Sequence, residues 1–477
     1  MLIDTKLLRQ KILDLAIRGK LVRQDPKDEP ASELLKRINA EKAVLVKSGK
    51  LKKEKPLPPI SGDEIPFDIP GSWTWVRLSQ IAFFQNGFAF KSTDMKTTGC
   101  IPVVRISNLN GQHVCLDDCL FVSEDSALSA FLIEQGDLLI AMSGATTGKI
   151  GIFNSAKKAY LNQRVGNIKL FFKNEYLQHY RDLFVISQQK KILEMAYGGA
   201  QPNISGEKIG CLLLPLPPLA EQERIVAKVE ALMNEVDTIE RETENLNRTF
   251  ALTREKALDL AIRGKLVPQD PNDEPASELL KRIQAEKASL IKSGKLKKEK
   301  TLPPITKDEI PFPIPASWSW VRLGSIITLL SGQDFPPSGY NDRQEGIPYI
   351  TGASNMDNGK LIVNRWTRTP SSIALQGDLL ITCKGAGVGK MALMNIPQAH
   401  VARQIMAIRP FAGVNTSFVE AFIQGSMPTV RRQMNGLIPG ISREVMLQLI
   451  FQLPPLAEQK RIVKKLESIL STLELQS

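Results

Sequence analysis

The sequence predicts an α+β protein: two globular α/β domains separated by a long antiparallel helical coiled coil, with an internal pseudo-twofold repeat. Three observations predict it. A mid-chain stretch carries an unbroken heptad seam, a long frame recurs in near-identical form, and the frames enclose two unlike stretches of short strand-type runs.

The heptad stretch is Leu219–Arg263, which follows Pro215-Leu216-Pro217-Pro218 and has no Pro or Gly before Gly264. Its apolar positions are Ile225, Val229, Leu232, Val236, Ile239, Leu246, Phe250, Ala257 and Leu260, with Thr243 and Thr253 filling the gaps. Alternating steps of four and three mark a helix that packs along its length on another helix. At 1.5 Å per residue the rod spans roughly 65 Å.

The frame supplies its partner. Residues 14–81 return at 259–326 with 13 differences in 68 positions, and Pro217-Pro218-Leu219-Ala220-Glu221-Gln222 returns as Pro454-Pro455-Leu456-Ala457-Glu458-Gln459. In the register of this repeat, Ile462, Leu466, Ile469 and Leu473 match Ile225, Val229, Leu232 and Val236. Thr5, Leu8, Ile12 and Leu15 match Phe250, Thr253, Ala257 and Leu260. The two terminal helices are therefore expected to dock end to end, antiparallel, on the central one, with the weakest pairing opposite Asp237–Asn247. This divides the chain into an N-terminal helix (1–22), a helical and basic connector (23–72), a first globular domain (73–217) and the central helix (218–266). A second connector (267–317), a second globular domain (318–454) and a C-terminal helix (455–477) follow.

Each connector holds a helix, opening in the first copy at Pro30-Ala31-Ser32-Glu33 with Ser32 as its cap and ending near Lys47. A lysine run follows, Lys50–Lys55 and Lys295–Lys300, stiffened by prolines. It reads as a solvated linker, a phosphate contact or a partner contact. Ser72-Trp73-Thr74-Trp75-Val76-Arg77-Leu78 alternates as a half-buried strand would. Inside the domains, Ile101–Ile106 reads as a strand with a turn at Asn108–Gly111. Gly136-Asp137-Leu138-Leu139-Ile140 and Gly377-Asp378-Leu379-Leu380-Ile381 read as a shared buried strand. Helical stretches are expected at Tyr176–Tyr197 and Thr416–Met434.

The 43% hydrophobic and 23% charged content is that of a globular chain, and no apolar run is long enough to span a bilayer. Five irregularly placed cysteines suggest no disulfide framework and fit a reducing cytoplasm. A net charge of +12 is either a plain lysine excess or a sign of a polyanionic partner, most simply nucleic acid.

Catalytic patterns fail on inspection. Gly144-Ala145-Thr146-Thr147-Gly148-Lys149 and Gly385-Ala386-Gly387-Val388-Gly389-Lys390 are each one residue shorter than a P-loop and lack the magnesium-binding hydroxyl after Lys. They remain Gly-rich turns that either place N–H groups and an ammonium on phosphates or simply turn the chain. Asp334-Phe335-Pro336-Pro337 has the wrong order for an adenine methyltransferase tetrapeptide. His113, His179 and His400 are too scattered for a hydrolytic triad, and Cys100, His113, Cys115 and Cys119 fit no standard zinc spacing. The expectation is a non-catalytic chain without a metal site.

A duplicated frame, unlike inserts at 82–213 and 327–450, heptad helices and a basic balance together resemble the specificity (S) subunits of type I restriction-modification systems. The carriers are the two Pro-Pro-Leu-Ala-Glu-Gln segments, the paired Trp-x-Trp-Val-Arg-Leu starts and the two Gly-Asp-Leu-Leu-Ile strands. The resemblance implies that each insert is a target recognition domain reading half of a bipartite double-stranded DNA target, and that the coiled coil is the spacer. It also implies two methyltransferase subunits using S-adenosylmethionine and two restriction subunits using ATP and magnesium, so the cofactors belong to partners. A coiled-coil scaffold whose inserts bind proteins is the competing reading.

Arg, Asn and Gln read purine edges, whereas Lys, Ser and Thr contact phosphates. On turns that can project, the expected DNA-binding residues of the first domain are Arg105, Asn108, Asn110, Thr146, Thr147, Lys149, Gln163 and Arg164. Those of the second are Arg343, Gln344, Ser354, Asn355, Lys384, Lys390, Arg403 and Gln404, with Gln163 matched to Gln404 to within one residue.

Overall fold

The computed structural model describes residues 3–52, 58–144, 146–197, 202–298, 300–357, 359–385, 387–432 and 440–476. Part of each lysine run (residues 53–55 and 299), Pro56, Ala145, Ala386 and Met434 lie outside these. Two compact units form, Leu2–Thr243 and Glu244–Ser477.

In the first unit, the N-terminal helix Thr5–Ile17 runs antiparallel to the first part of the central helix, Leu219–Ile262. Arg9 fixes the direction: its guanidinium pairs with Asp237 at 2.5 Å and Glu240 at 2.9 Å. Ile12, Ala16, Ile225, Val229 and Val236 are buried in one core, with Leu8, Leu13, Leu232 and Met233 partly buried against it. Ile239 and Leu15 are half-buried. In the second unit, Ala257, Leu258 and Ala261 share a core with Ile462, Val463 and Leu466 of the C-terminal helix Leu456–Gln476, and Ile469 packs against it. Phe250 and Leu260 are half-buried, but Leu246 is 44% exposed. Leu246 therefore leaves the seam. Between Glu244 and Lys256 only Phe250 is even partly covered, so this stretch has no apolar partner among the described residues to bury against. Gly264 ends the central helix at φ 67°, where the Lys265 N–H returns to the Leu260 carbonyl at 2.9 Å.

The frame's recurring motifs converge on one buried contact per unit. The helix begins after Pro218, whose carbonyl accepts the Glu221 and Gln222 N–H groups. Glu221 is fully buried, accepting the Trp73 indole N–H at 2.9 Å and the Gln24 amide at 2.5 Å. Gln222 donates back to the Pro217 carbonyl at 2.9 Å. The second copy repeats the side-chain bonds: Glu458 takes Trp318 at 2.8 Å and Gln269 at 2.5 Å, and Gln459 donates to Pro454 at 2.9 Å. Arg224 pairs with Asp28 and Arg461 with Asp273, both at 2.5 Å. The connector helix starts at Ala31, one residue before the expected Ser32 cap; the Ala31 N–H donates to the Ser72 carbonyl instead of lying free for a side chain.

Beyond each Trp the chain enters a two-stranded stem. Thr74–Arg77 pairs antiparallel with Leu213–Leu216, and Ser319–Arg322 with Ile450–Leu453. Each domain is thus a long excursion from a closed stem. The first contains a six-stranded sheet and a four-stranded sheet, the second two four-stranded sheets and a small hairpin. The expected Gly-Asp-Leu-Leu-Ile strands are Asp137–Ala141 and Leu379–Thr382, buried along their whole length. Tyr176–Tyr197 divides into two helices, Glu175–Ser187 and Gln189–Ala196, while Thr416–Arg432 is one.

Replacing Glu221 by Gln keeps the shape but leaves one acceptor oxygen for two donors. The first unit is expected to lose about 1–3 kcal/mol, read as a lower denaturant midpoint. Glu458→Gln is expected to do the same in the second unit. Unchanged midpoints would show that these carboxylates do not hold the frame.

Candidate nucleic-acid interface

Each Gly-rich segment joins two antiparallel strands as a hairpin turn. In the first domain the strands are Asp137–Ala141 and Ile150–Phe153, and in the second Leu379–Thr382 and Met391–Leu393. The turn consumes its own donors: Thr147 N–H goes to Gly144, Gly148 to Ala141 and Lys149 to Thr146, at 2.9–3.1 Å. Val388, Gly389 and Lys390 repeat the pattern on Gly385, Thr382 and Gly387. A P-loop needs free N–H groups leading into a helix. Backbone cradling of phosphate is therefore excluded for these amides, and the exposed Lys149 and Lys390 side chains are the cations that each turn offers.

Two other segments meet this turn. The Met142 N–H donates to the Arg164 carbonyl at 2.9 Å, and the Asn162 N–H to the Val104 carbonyl, ending the strand Ile101–Val104, at 3.0 Å. In the second domain Cys383 donates to Gln404 at 2.7 Å and Ala402 to Ile350 at 2.9 Å. The equivalent bonds make Arg164 the counterpart of Gln404 and Gln163 the counterpart of Arg403, so the expected Gln163/Gln404 match slips by one. A third segment crosses closely, which explains Gly87 and Gly332. A Cβ on either would lie 2.1 Å from the carbonyl oxygen of Asn162 or Ala402.

Three expected readers are spent in the fold. Asn108 is 3% exposed and its Oδ1 accepts the Arg105 N–H at 2.9 Å. The buried Thr147 hydroxyl sits 2.7 Å from the Gly144 carbonyl and 3.1 Å from that of Pro202. Fully buried Asn355 accepts from the Thr351 N–H and hydroxyl at 2.9 Å and donates to Ile362 at 2.7 Å. Buried polar groups must be paired, and burial keeps all three side chains from the edge of a base. Arg105 is half-buried with Nη2 on the Asp118 carbonyl at 3.2 Å. Arg343 and Gln344 precede the strand Ile347–Ile350, at the opposite end from Thr351–Asn355, and so stand apart from the cluster. Thr146 is half-buried; Asn110, Gln163, Arg164, Ser354, Lys384, Arg403 and Gln404 are exposed.

One contact at this corner escapes sequence reading. Asp334 Oδ2 lies 2.7 Å from Arg403 Nε, and its Oδ1 accepts the Arg403 N–H at 3.1 Å. The segment carrying Asp334 rests on His400, which is fully buried. The Gln333 carbonyl is 2.8 Å from His400 Nε2, while His400 Nδ1 accepts the Ser372 N–H at 3.1 Å and the Ser371 N–H at 3.3 Å. Two amide donors at Nδ1 require the neutral imidazole, with the proton on Nε2. Phe335 stacks on the ring at 4.3 Å. Burial pushes the His400 pKa below its ordinary value, with the Gln333 carbonyl opposing. Among the described residues no three His, Cys, Asp or Glu side chains gather as a metal site, and no helix is long and apolar enough to cross a membrane.

The family profile for the type I restriction modification DNA specificity domain matches residues 70–248 and 315–477. The chain belongs to this family. It is 33% identical to the type I restriction enzyme EcoAI specificity subunit of Escherichia coli, over 98% of this chain and 89% of that one. It is 31% identical to the EcoEI specificity subunit of the same organism, over 97% and 88% respectively. A structure described as the basis of complex assembly and conformational transition of the type I R-M system shares the fold. That likeness has a TM-score of 0.57 at 22% identity and covers 86% of this chain and 93% of the other. Both profile matches open just before a Trp-x-Trp stem, at Pro70 and Pro315. The specificity-family unit thus includes the stem, the insert and, in the first copy, the helix after it as far as residue 248.

The lowered His400 pKa carries a sign. The unfolded chain binds the proton more readily, so this contribution to stability is complete above the ordinary histidine range near pH 6.5 and is lost as pH falls through it. Between about pH 7.5 and 5.5 the second unit's melting temperature is expected to fall more steeply in the parent chain than in His400→Gln, which cannot titrate. Parallel profiles would remove His400 as the titrating brace.

Proposed function

We propose that this chain is the non-catalytic, DNA-reading subunit of a type I restriction-modification complex. Residues 73–217 and 318–454 each read one half of an asymmetric bipartite target. The observation that carries this reading is the contrast between frame and face. The buried Trp–Glu contacts recur donor for donor and the stems recur in the same register, while the exposed corners differ, Gln163-Arg164 against Arg403-Gln404. Identical mounts with unlike faces suit a protein that presents two different readers to one duplex.

The chemistry of the faces supports the same assignment. Lys149, Lys384 and Lys390 supply phosphate neutralisation, which makes affinity salt-dependent. Asn110, Gln163, Arg164, Ser354, Arg403 and Gln404 project donors and acceptors of the kind that read base edges in the major groove. The helices at 1–22, 218–266 and 455–477 act as an antiparallel coiled-coil spacer. Half-sites on one DNA face then lie about a helical turn apart, roughly 34 Å. The frame docks two methyltransferase subunits, which hold S-adenosylmethionine, and through them two restriction subunits that use ATP and magnesium. The complex works in the cytoplasm, where its DNA is.

Methylome sequencing of cells carrying the intact system tests this. Replacing residues 327–450 with another family insert is expected to change one half-site and spare the other. A change in both halves would sink the modular reading, and salt-independent partner binding without DNA affinity would favour a protein scaffold. Adding or deleting one or two helical turns within 233–250 is expected to change the number of unspecified base pairs between unchanged half-sites. An unaltered spacing would rule out the helix as the ruler.

A further inference from the structure

We infer that Arg403 specifies a guanine in the half-site read by the second domain, and that Asp334 is the positioning residue that aims it. This rests on the DNA-reading function proposed above. A lone exposed arginine has many rotamers and finds phosphates as readily as bases. Arg403 is not free in that way. Asp334 binds it twice, through the backbone N–H and at Nε, and among the described residues nothing takes its two Nη amino groups. With Nε facing the carboxylate, the two Nη amino groups of this exposed side chain are the donors left for a ligand. Two parallel N–H donors on one edge match the O6 and N7 acceptors of guanine in the major groove.

The support behind Asp334 argues against an incidental surface pair. Its chain neighbours on both sides are held: the Gln333 carbonyl on buried His400, and Phe335 stacked on that ring with its N–H 3.3 Å from the Tyr349 hydroxyl. The Gln333 N–H also bonds the Val401 carbonyl at 2.9 Å, two residues before Arg403. Carboxylate and guanidinium are therefore mounted on segments tied to each other.

The first domain shows what changes when the device is absent. Its matching bonds run from Phe88 N–H to the Leu161 carbonyl, which places Ala89 where Asp334 stands. Tyr160 replaces His400, facing Phe90 at 5.7 Å. Gln163 occupies the Arg403 position, and Arg164 comes one residue later. The amide of a glutamine suits adenine N6 and N7. The two domains thus carry Arg and Gln in exchanged order on one backbone corner, and among the described residues only the second domain's arginine pairs with a carboxylate.

The test uses the intact methyltransferase complex on duplex oligonucleotides, once its target has been read from the methylome. Arg403→Lys keeps the charge but not the fork. It is expected to lose discrimination at one G·C pair of one half-site by about ten- to a hundredfold, with the other half-site unaffected. Asp334→Asn keeps an acceptor for the Arg403 N–H and weakens the aim. It is expected to lose part of the discrimination at that same pair, with the unfolding midpoint unchanged. If Arg403→Lys weakens binding equally on all targets, Arg403 is a phosphate contact and the inference fails. It fails equally if the full motif survives, or if Asp334→Asn moves only the unfolding midpoint. These outcomes leave the DNA-reading function standing. That function falls if exchanging residues 327–450 leaves the methylated sequence unaltered.

Discussion

A buried carboxylate that accepts an indole N–H holds each half of this protein together. Glu221 and Glu458 have no exposed surface, and each takes one Trp and one Gln donor across more than a hundred residues of chain. Burying an ionised group is costly unless its hydrogen bonds are made, so the site demands its partners in place. That requirement pins three things at one point: the first turn of a long helix, the start of a stem and the connector. Burial pushes both carboxyls above their ordinary range while Trp and Gln pull them back.

From that point outward the restraint passes to backbone. The stem strands close each insert at its base, so the insert's contents are free to differ without disturbing the frame. Within each insert, three segments are tied by main-chain bonds: the Gly-rich hairpin, the corner at 162–164 or 402–404, and the end of the strand Ile101–Val104 or Ile347–Ile350. Main-chain bonds ignore side-chain identity. The same corner is therefore rebuilt in two domains of different sequence, and its exposed side chains are the part left to vary.

Much of this was legible along the chain. The long helix, the repeat, the buried Gly-Asp-Leu-Leu-Ile strands and the family resemblance rest on periodicity and exact recurrence, which are local signals. The proposed reading face was only partly legible. Arg164, Lys149, Arg403 and Gln404 lie on exposed turns, as their composition suggests, but Asn108, Thr147 and Asn355 were indistinguishable from them by type. Asn and Thr serve turns by bonding the backbone as readily as they serve a ligand, and the two roles look alike in sequence. Leu246 failed for a related reason: heptad spacing marks an apolar stripe but does not say where along it a partner ends.

The sequence by itself determined the frame: which segments recur, which helix is long, and that the inserts are unlike. Those features are written in spacing and repetition along one dimension. Tertiary structure alone decided what the recurring motifs are for and how the corners align. Glu221 meets Trp73 at a separation of 148 residues, Glu458 meets Trp318 at 140, and Asp334 meets Arg403 at 69. No local pattern encodes a contact between residues that far apart. It exists only once the stems have closed and the sheets have brought distant loops to one corner.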